Sequence, residues 1–572
     1  MNRLEQLRTL MKQHSIDTYF ITKFDPHQGE YTHDMYNGVK FISGFSGSSA
    51  TAVVTQDKAY MWTDGRYYLQ AENELAQGFT MQKLETDLGA IPFAIQNTPK
   101  GTIGFDGSTL NVQMVQALLK SKHPETTIKT DVNLINQLWD DRPTFERANL
   151  WNYSEQYNGE NTASKLAKVR ETMKQKGADI YLISAIDDIA WLLNIRSVSS
   201  ESAFNFYAYL AIEPHSITLF VDQQADDETL PVPTRPYNGI WAYATENSEK
   251  TLLFTPNKTN YTLFNHFTKK KLALPHDITT LLKARKNKVE IESLKEANKK
   301  EALVFTKLNR WLAHYSENDD ITEYDVFEKL DKIRHSLDGY LGRSFYPICG
   351  YGSNGAIIHY HLDQATAKPI KREGFLLVDT GSNFIEGTTD ITRTYVMGPI
   401  TDEMKKHYTA VLQGHIALAT ARFPKGTKGF HLDAFARRPL WEMGLNYRHG
   451  TGHGIGHLLN VHEGPQNISP TMVDVVLEEG MLLSNEPGVY FDGSYGIRLE
   501  NTILVKKSET TDFLEFETVS YIPFDLRAID VTMLSDFEKK WLNDYHKVCF
   551  DNLKVFLCEV GTAWLAELTR AI

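Results

Sequence analysis

The sequence predicts an α/β protein with several domains, in which two copies of one α/β domain precede a larger α+β domain. Three observations support this prediction. The chain has 572 residues, which exceeds the size that one hydrophobic core usually supports. A segment near the start recurs at an offset of 162 residues. Carboxylates placed within apolar strands are concentrated in two strand pairs of the last third of the chain.

The composition is that of an ordinary soluble protein, with 42% hydrophobic and 23% charged residues. A net charge of -12 disfavours binding to the phosphate backbone of a nucleic acid. Three scattered cysteines form no disulfide framework. The N-terminus reads as a charged amphipathic helix without a signal-peptide core, and no run of ~18 apolar residues predicts a membrane span. We therefore expect a cytoplasmic protein that does not enter a membrane.

The recurring segment predicts a duplicated domain. RLEQLRTLMKQHSIDTYFIT begins at residue 3 and KLAKVRETMKQKGADIYLIS at residue 165. The identical positions are Leu4/Leu166, Arg8/Arg170, Met11/Met173, Lys12/Lys174, Gln13/Gln175, Asp17/Asp179, Tyr19/Tyr181 and Ile21/Ile183. Both copies have the apolar spacing of a helix followed by a β-rich run. This spacing predicts α/β domains at 1–150 and 151–284; chance similarity of two helix–strand units is the alternative.

A third domain is predicted at 285–508, after the basic segment KARKNK, which reads as a linker. Apolar residues of the following segment fall on one face of a long helix. They are Ile291, Leu294, Ala297, Leu308, Trp311 and Leu312. The tail at 509–572 contains two aromatic-rich helical stretches and is short for an independent fold. We therefore expect it to pack on the third domain or on a second subunit.

Two segments of the third domain place carboxylates at matching points of strand pairs. In GFLLVDTGSNFIEGTTDITRTYVMG an apolar strand ends at Asp379, a Thr-Gly-Ser-Asn turn follows, and a threonine-rich strand carries Asp390. In MLLSNEPGVYFDGSYGIRLENTILV a strand ends at Glu486 and a later strand carries Glu500. Residues two positions apart on a strand lie on the same face, so each of the two later strands has one face that includes its carboxylate. One holds Thr388, Asp390, Thr392 and Thr394, and the other holds Arg498, Glu500 and Thr502.

This pattern predicts a site for divalent cations. A carboxylate buried without a partner costs several kcal/mol. Arg393 and Arg498 could each pair with one, but two arginines do not neutralise four carboxylates. A set of ligands rich in carboxylate oxygens, with few histidines, suits two metal ions ~3.5–4 Å apart that are bridged by carboxylates. Hard ligands favour manganese, with cobalt, zinc and iron as alternatives.

The segment HGTGHGIGH (449–457) places three histidines at a spacing of four. A helix would align them on one face, but each of its four glycines would cost ~1 kcal/mol there. In an extended segment His449 and His453 lie ~13 Å apart and cannot bind one ion. We therefore expect at most one histidine of this run to bind metal. The glycines permit close approach of another strand or a ligand.

These motifs closely resemble the metal-dependent Xaa-Pro aminopeptidases (aminopeptidase P), in their long three-domain form. This group belongs to the pita-bread metallopeptidases, with prolidase, methionine aminopeptidase and creatinase. The site motifs that carry the resemblance are LLVDTG, TTDITRT, HGTGHGIGHLLNVHEGP, SNEPGVY and GIRLEN. Further matches are FISGFSGSSATAVVTQDKAYMWTDGRYYLQAENEL, DDIAWLLNIRS, KARKNKVEIESLKEA and WLNDYH. The resemblance covers nearly the whole chain. It implies two creatinase-like N-terminal domains, a pita-bread catalytic domain and a C-terminal extension.

The resemblance also implies roles for individual residues. The five implied ligands of a dinuclear site are Asp379, Asp390, His453, Glu486 and Glu500, with Asp390 and Glu500 as the bridging pair. The implied residues around the substrate are His359, His449, His462, Arg498 and Tyr490. Arg66 matches a position where the N-terminal domain approaches the substrate, with a surface salt bridge as the alternative. His361 and His457 have no implied role, which favours structural or surface positions.

The implied activity is removal of the N-terminal residue from peptides with proline second, with Glu486 as general base and acid. Two divalent cations, most simply Mn²⁺, and a homodimer are also implied. A prolidase would share the five ligands, but the duplicated N-terminal half argues against it. Methionine aminopeptidase lacks these N-terminal domains. Metal-free relatives such as creatinase and histone-chaperone binding modules have lost ligand carboxylates, whereas this chain has all of them.

Overall fold

The computed structural model describes residues 2–144, 147–197, 202–222, 230–315 and 321–572. The chain divides into two compact units. The first comprises Met1–Tyr153, Glu160–Ser200 and Phe204–Thr279, and the second comprises Ser154–Gly159, Glu201–Ala203 and Thr280–Ile572. Among the described residues, no helix is long and apolar enough to cross a membrane.

Helices and strands alternate along most of the chain. The helices are α1 (Arg3–Gln13), α2 (Gly38–Ser43), α3 (Tyr68–Glu74), α4 (Ala90–Asn97), α5 (Val112–Ser121), α6 (Leu134–Leu138), α7 (Glu155–Asn158), α8 (Thr162–Lys176), α9 (Ile186–Leu193), α10 (Gly239–Glu246), α11 (Tyr261–Asn265), α12 (Ile278–Ala284), α13 (Lys288–His314), α14 (Glu323–Arg334), α15 (Asp402–Ala419), α16 (Asp433–Trp441), α17 (Asp536–Leu553) and α18 (Glu559–Leu568).

The strands of the first half are β1 (Thr18–Thr22), β2 (Thr51–Thr55), β3 (Ala59–Thr63), β4 (Thr80–Lys83), β5 (Thr102–Phe105), β6 (Thr127–Lys129), β7 (Leu150–Asn152), β8 (Ile180–Ile183), β9 (Ile195–Ser197), β10 (Ala208–Ile212), β11 (Ile217–Val221), β12 (Thr234–Arg235), β13 (Leu252–Phe254) and β14 (Lys271–Ala273). Those of the second half are β15 (Tyr340–Arg343), β16 (Ile348–Tyr351), β17 (Phe375–Thr380), β18 (Ser382–Phe384), β19 (Gly387–Thr388), β20 (Ile391–Val396), β21 (Arg422–Phe423), β22 (Gly452–His453), β23 (Asn467–Ile468), β24 (Leu482–Asn485), β25 (Gly488–Phe491), β26 (Tyr495–Arg498), β27 (Asn501–Lys507) and β28 (Leu514–Thr518).

The first unit contains two six-stranded sheets of the same topology. Their orders are β4-β3-β2-β1-β5-β6 and β12-β11-β10-β8-β13-β14. In each sheet the strand that follows the repeated helix pairs antiparallel with one neighbour and parallel with the other. The pairings further out also match in direction. The predicted duplication is therefore confirmed.

The identical residues of the repeat make equivalent contacts. The carboxylates of Asp17 and Asp179 each accept a hydrogen bond of 2.7 Å from a backbone N–H at the start of the neighbouring parallel strand. The hydroxyls of Tyr19 and Tyr181 each accept a hydrogen bond from a backbone N–H at the start of a later helix, with N···O distances of 2.9 and 3.1 Å. These positions are alike in both copies because they close the same helix–strand junction.

The second unit places its longest helix, α13, beside small antiparallel sheets. Asn287 and Glu290 cap the start of α13 by exchanging side-chain and backbone hydrogen bonds. Leu294 and Leu308, two residues of the predicted apolar face, are buried. The sheets that position the site are β16-β17-β20 and β21-β28-β27-β24. The tail packs on this unit, since Leu542 and Cys549 of α17 belong to a core shared with β25 and β26.

One local prediction was wrong. The Thr-Gly-Ser-Asn segment is not a turn: its last two residues begin β18, which pairs with β15 and β19. Gly381 allows this path, because a Cβ there would lie 1.9 Å from the carbonyl oxygen of Thr389. KARKNK (283–288) runs from the end of α12 to the start of α13, and Lys283 and Lys286 within it are buried.

Candidate active site

The two carboxylate-bearing strand pairs lie against each other. β17 and β20 are antiparallel, with Asp379 opposite Thr392, and β24 and β27 are antiparallel as well. Asp390 and Glu500 each precede a strand by one residue rather than lying inside it. The backbone N–H of Glu500 donates to the carbonyl of Thr392 at 3.1 Å. This bond joins the second strand of one pair to that of the other and brings all four carboxylates together.

The HGTGHGIGH segment lies beside these strands. It contains no helix, and its only strand within residues 449–457 is β22, which pairs with β23. The backbone N–H of His453 donates to the hydroxyl of Ser484 at 3.0 Å, and that of Glu486 donates to the carbonyl of Thr451 at 2.8 Å. A Cβ on Gly452 would lie 2.0 Å from the carbonyl oxygen of Ser484. The glycines therefore let this segment approach the protein's own strands.

His453 meets carboxylates from both strand pairs. Its Nε2 lies 3.3 Å from Oδ2 of Asp390 and 3.5 Å from Oε1 of Glu486. Asp390, His453 and Glu500 each offer one ligand atom, and these atoms lie within 4.8 Å of one another. The Nδ1–H of His453 donates to the carbonyl of Gly454 at 2.9 Å. This bond leaves Nε2 as the nitrogen available for a cation.

Burial makes this concentration of negative charge unfavourable without cations. It raises the pKa values of the Asp379 and Glu486 carboxyls, against the opposing effects of Arg498 and His453 respectively. Burial and the neighbouring carboxylates, Asp390 first, raise the pKa of Glu500 well above its ordinary value. Burial opposes protonation of His453, but Asp390 and Glu486 outweigh it and raise the pKa of the imidazole to about 9.

One of the two arginines pairs with a carboxylate of the cluster, which leaves most of its negative charge unbalanced. Arg498 pairs with Asp379 through Nη2 at 2.5 Å and Nε at 3.1 Å. Arg393 instead donates to the backbone carbonyl of Glu500 and to the side-chain oxygen of Asn501. Among the described residues, Oδ1 of Asp379 is buried without a hydrogen-bond donor. Carboxylate oxygens and one imidazole nitrogen, in a largely buried cluster that contains one arginine, fit divalent cations.

Cation binding at neutral pH is expected to release protons. His453 has a pKa of about 9 in the cation-free protein, so at pH 7 its imidazole carries a proton that a bound cation must replace. Titration calorimetry with Mn²⁺ in buffers of different ionisation enthalpy measures the number of protons released on cation binding. We expect at least about one proton released per chain at pH 7. Heats that do not depend on the buffer would contradict the assignment of His453 as a ligand.

Three of the other predicted residues form a chain of hydrogen bonds beside the cluster. Nη1 of Arg498 donates to the hydroxyl of Tyr490 at 2.7 Å. That hydroxyl lies 2.8 Å from Nε2 of His449, whose Nδ1–H donates to the carbonyl of Gly450 at 2.7 Å. The hydroxyl therefore donates to His449. Nδ1 of His449 also lies 3.9 Å from Oε2 of Glu486.

The remaining predicted histidines lie at different distances from the cluster. The ring centroids of His462 and His453 are 4.4 Å apart, and the two rings are arranged edge to face. His359 is half-buried and follows Ile358, whose carbonyl lies 3.5 Å from Nη2 of Arg498. His457 is buried, and its Nε2–H donates to the carbonyl of Glu386 at 3.0 Å.

His361 and Arg66 are placed elsewhere. His361 is exposed and its ring stacks on that of Tyr346 at 5.4 Å. Arg66 belongs to the first unit. Its guanidinium forms two hydrogen bonds with the carboxylate of Asp64, at 2.8 and 2.9 Å.

Three residues that support the cluster were not singled out from the sequence. Thr392 donates to Oε2 of Glu500 at 2.7 Å, and Ser484 donates to Oε1 of Glu486 at 3.1 Å. Arg437 of α16 is buried and donates to the carbonyl of His449 at 2.7 Å. The strand alternation placed Thr392 on the face of Asp390 and could have identified it. Nothing in the local sequence indicates Arg437, because its contacts depend on the tertiary fold.

The fold and the cluster together define a metallohydrolase. The family described as "Metallopeptidase family M24" matches residues 292–507. The family described as "Creatinase/Prolidase N-terminal domain" matches twice, at 3–138 and 141–290. The family described as "C-terminal region of peptidase_M24" matches 512–572. The fold prediction, with its creatinase-like domains, pita-bread domain and C-terminal extension, is therefore confirmed.

Curated relatives match over the whole chain. A probable Xaa-Pro aminopeptidase P of Laccaria bicolor is 37% identical over 97% of this chain and 90% of the relative. Aminopeptidase P2 of Arabidopsis thaliana is 35% identical over 100% of this chain and 88% of the relative. This chain belongs to the aminopeptidase P family of M24 metallopeptidases.

The solved structures that match differ in coverage. The X-prolyl aminopeptidase of Caenorhabditis elegans, described as a cytosolic enzyme with a di-nuclear active site, is 29% identical with a TM-score of 0.94. The match covers 100% of this chain and 99% of that one. A Xaa-Pro dipeptidase from Bacillus anthracis is 24% identical with a TM-score of 0.52 and covers 64% of this chain and 99% of its own. The second match shows the fold alone.

Proposed function

We propose that this protein is a metal-dependent aminopeptidase that removes the N-terminal residue from peptides with proline in second position. The observation that carries the proposal is the cluster of Asp390, His453 and Glu500, in which the two carboxylates are buried and the histidine is half-buried, flanked by Asp379 and Glu486. Family membership supplies the reaction class, and the full-length relatives are Xaa-Pro aminopeptidases by name.

Asp379, Asp390, His453, Glu486 and Glu500 would hold two divalent cations. Mn²⁺ is the proposed ion because most of the ligands are hard carboxylate oxygens, and Co²⁺, Zn²⁺ and Fe²⁺ are alternatives. Such ions supply Lewis acidity that activates a water molecule and polarises a carbonyl group.

Glu486 is the proposed general base and acid. Ser484 donates to Oε1 of its carboxylate, while Oε2 lies on the side of His449. A carboxylate within hydrogen-bond reach of the attacking water can act as its proton acceptor. Glu486 takes the proton of the attacking water and passes it to the nitrogen of the scissile bond. That nitrogen belongs to proline and carries no hydrogen before cleavage.

The surrounding side chains bind and orient the substrate. His462 and His359 are proposed to stabilise the negative charge that develops on the carbonyl oxygen. His449 is proposed to contact the substrate, with its ring orientation fixed by Tyr490 and Arg498. For Arg66 we propose a contact on the C-terminal side of the peptide, and its paired hydrogen bonds with Asp64 would fix its orientation.

The domain limits, assembly and compartment belong to the same proposal. We place the domains at 1–150, 151–284, 285–508 and 509–572, which is supported by the two matching sheets and by the family matches. We propose a homodimer and a cytoplasmic location, as the Caenorhabditis elegans enzyme is described as cytosolic. For the present protein we propose proline-containing peptides as substrates and no nucleic-acid or membrane partner.

A panel of three peptides tests the activity. The purified protein is stripped with a chelator, reloaded with Mn²⁺, and offered Ala-Pro-Ala, Ala-Pro and Ala-Ala-Ala. Release of free alanine from Ala-Pro-Ala is expected, at a rate at least about tenfold above that from the other two peptides. Faster cleavage of Ala-Pro would indicate a prolidase instead. Full activity in the stripped protein would contradict the role of the cations.

A further inference from the structure

A buried ionic triad lies beside the proposed active site. The carboxylate of Glu463 is held by two lysines of the KARKNK segment: Lys286 at 2.8 Å from Oε1 and Lys283 at 3.4 Å from Oε2. All three side chains are at most 2% exposed. Buried ions in apolar surroundings are costly, and replacement by apolar residues is often neutral or stabilising. A triad of this kind therefore points to a need for a defined geometry rather than for stability.

The backbone of Glu463 leads directly to His453. The N–H of Glu463 donates to the carbonyl of Gly454 at 2.8 Å. The same carbonyl accepts the Nδ1–H of His453 at 2.9 Å. The position of Glu463 thus fixes the acceptor that orients the imidazole. His462 precedes Glu463 in the chain, so its ring, 4.4 Å from that of His453, is placed by the same residue.

Close packing leaves this arrangement little freedom. A Cβ on Gly454 would lie 2.0 Å from the carbonyl oxygen of Glu463. A Cβ on Gly456 would lie 2.8 Å from Oε2 of Glu463. The HGTGHGIGH segment and Glu463 are therefore in contact at two points, and a shift of Glu463 would be transmitted to the segment.

We propose that Glu463, anchored by Lys283 and Lys286, is a positioning residue that sets the orientation of His453 and the place of His462. It contacts neither substrate nor cation and acts through the carbonyl of Gly454 and through its chain neighbour. The basic segment before α13 therefore serves the active site by anchoring Glu463. This inference rests on the proposed function for the role of His462, whereas its effect on His453 is measured by cation binding alone.

Glu463→Gln is the first test variant, because it keeps the shape and removes the charge that attracts both lysines. Mn²⁺ alone is titrated into the stripped protein by calorimetry. The dissociation constant at the weaker site is expected to rise about tenfold, the lower end for loss of a residue that orients a ligand. The KM for Ala-Pro-Ala is expected to rise as well, since His462 is displaced.

Glu517→Gln is the matched control. Glu517 pairs with Lys295 at 2.9 Å on a partly exposed face of the same unit, and this variant should bind Mn²⁺ within about twofold of wild type. Lys286→Met is the second variant. In this variant Glu463 still pairs with Lys283, and the pair carries no net charge. The Lys286→Met protein should therefore fold even if the Glu463→Gln protein does not. Its Mn²⁺ affinity is expected to fall by at least about threefold.

The outcomes separate the two proposals. If a folded Lys286→Met or Glu463→Gln protein binds Mn²⁺ and Ala-Pro-Ala as wild type does, the positioning role is overturned. If wild type fails to cleave Ala-Pro-Ala while both variants lose Mn²⁺ affinity, the proposed function fails but the role toward His453 stands. Circular dichroism of each stripped protein establishes that it is folded before the titration.

Discussion

Replacement of Glu486 by glutamine is expected to lower kcat for Ala-Pro-Ala by about 10³-fold, within the range that general acid–base groups contribute. The amide has nearly the shape of the carboxylate and can still accept the hydrogen bond from Ser484. It cannot accept a proton from water at neutral pH. The chemical step should therefore lose its proton carrier, while KM changes much less.

The cation content of this variant decides how the loss is interpreted, because Glu486 is also a proposed ligand. Bound Mn²⁺ is measured by elemental analysis at the concentration used in the assay. Glu479→Gln provides the control, since Glu479 lies on the surface and pairs with Lys507 at 2.7 Å. If Glu486→Gln holds two cations and keeps kcat within about tenfold of wild type, the proton is carried by another group.

The carboxylates of the site could be predicted because strands have a simple period. An apolar strand that ends in a carboxylate violates the pattern of a buried sheet, and the violation occurs in two separate strand pairs. Asp379, Asp390, Glu486 and Glu500 were found in this way, and the structure brings them together. The rejection of a helical HGTGHGIGH segment followed from the cost of its glycines in a helix, and the segment contains no helix.

Long-range contacts account for what could not be predicted. Arg393 was expected to be available to the carboxylates, but its guanidinium is occupied by the backbone of Glu500 and by Asn501. Lys283 and Lys286 are buried, and their partner Glu463 is more than 170 residues away in the sequence. Local sequence gives no information about such pairs. The duplication was easier to detect, because identical residues such as Asp17 and Asp179 hold equivalent hydrogen bonds.

His453→Ala is expected to weaken cation binding, whereas His457→Ala is expected to leave it nearly unchanged. His453 presents Nε2 to Asp390 and Glu486, so its loss should weaken binding of one Mn²⁺. Loss of a residue that merely orients a ligand lowers metal affinity by up to about a hundredfold, and loss of the ligand itself should cost at least that much. The same loss should reduce turnover at a fixed, limiting Mn²⁺ concentration. Calorimetry and elemental analysis on the stripped and reloaded protein measure both effects.

His457 is the matched control within the same nine-residue segment. Its ring donates to the carbonyl of Glu386, so its loss leaves a buried acceptor and should lower the free energy of unfolding by about 1–3 kcal/mol. Cation affinity and turnover should stay within about twofold of wild type. His453 and His457 each follow a glycine, Gly452 and Gly456, so their local spacing alone does not distinguish them. Equal loss of cation in both variants would show that the segment acts as one unit, and the separation of ligand from structural histidine would then be wrong.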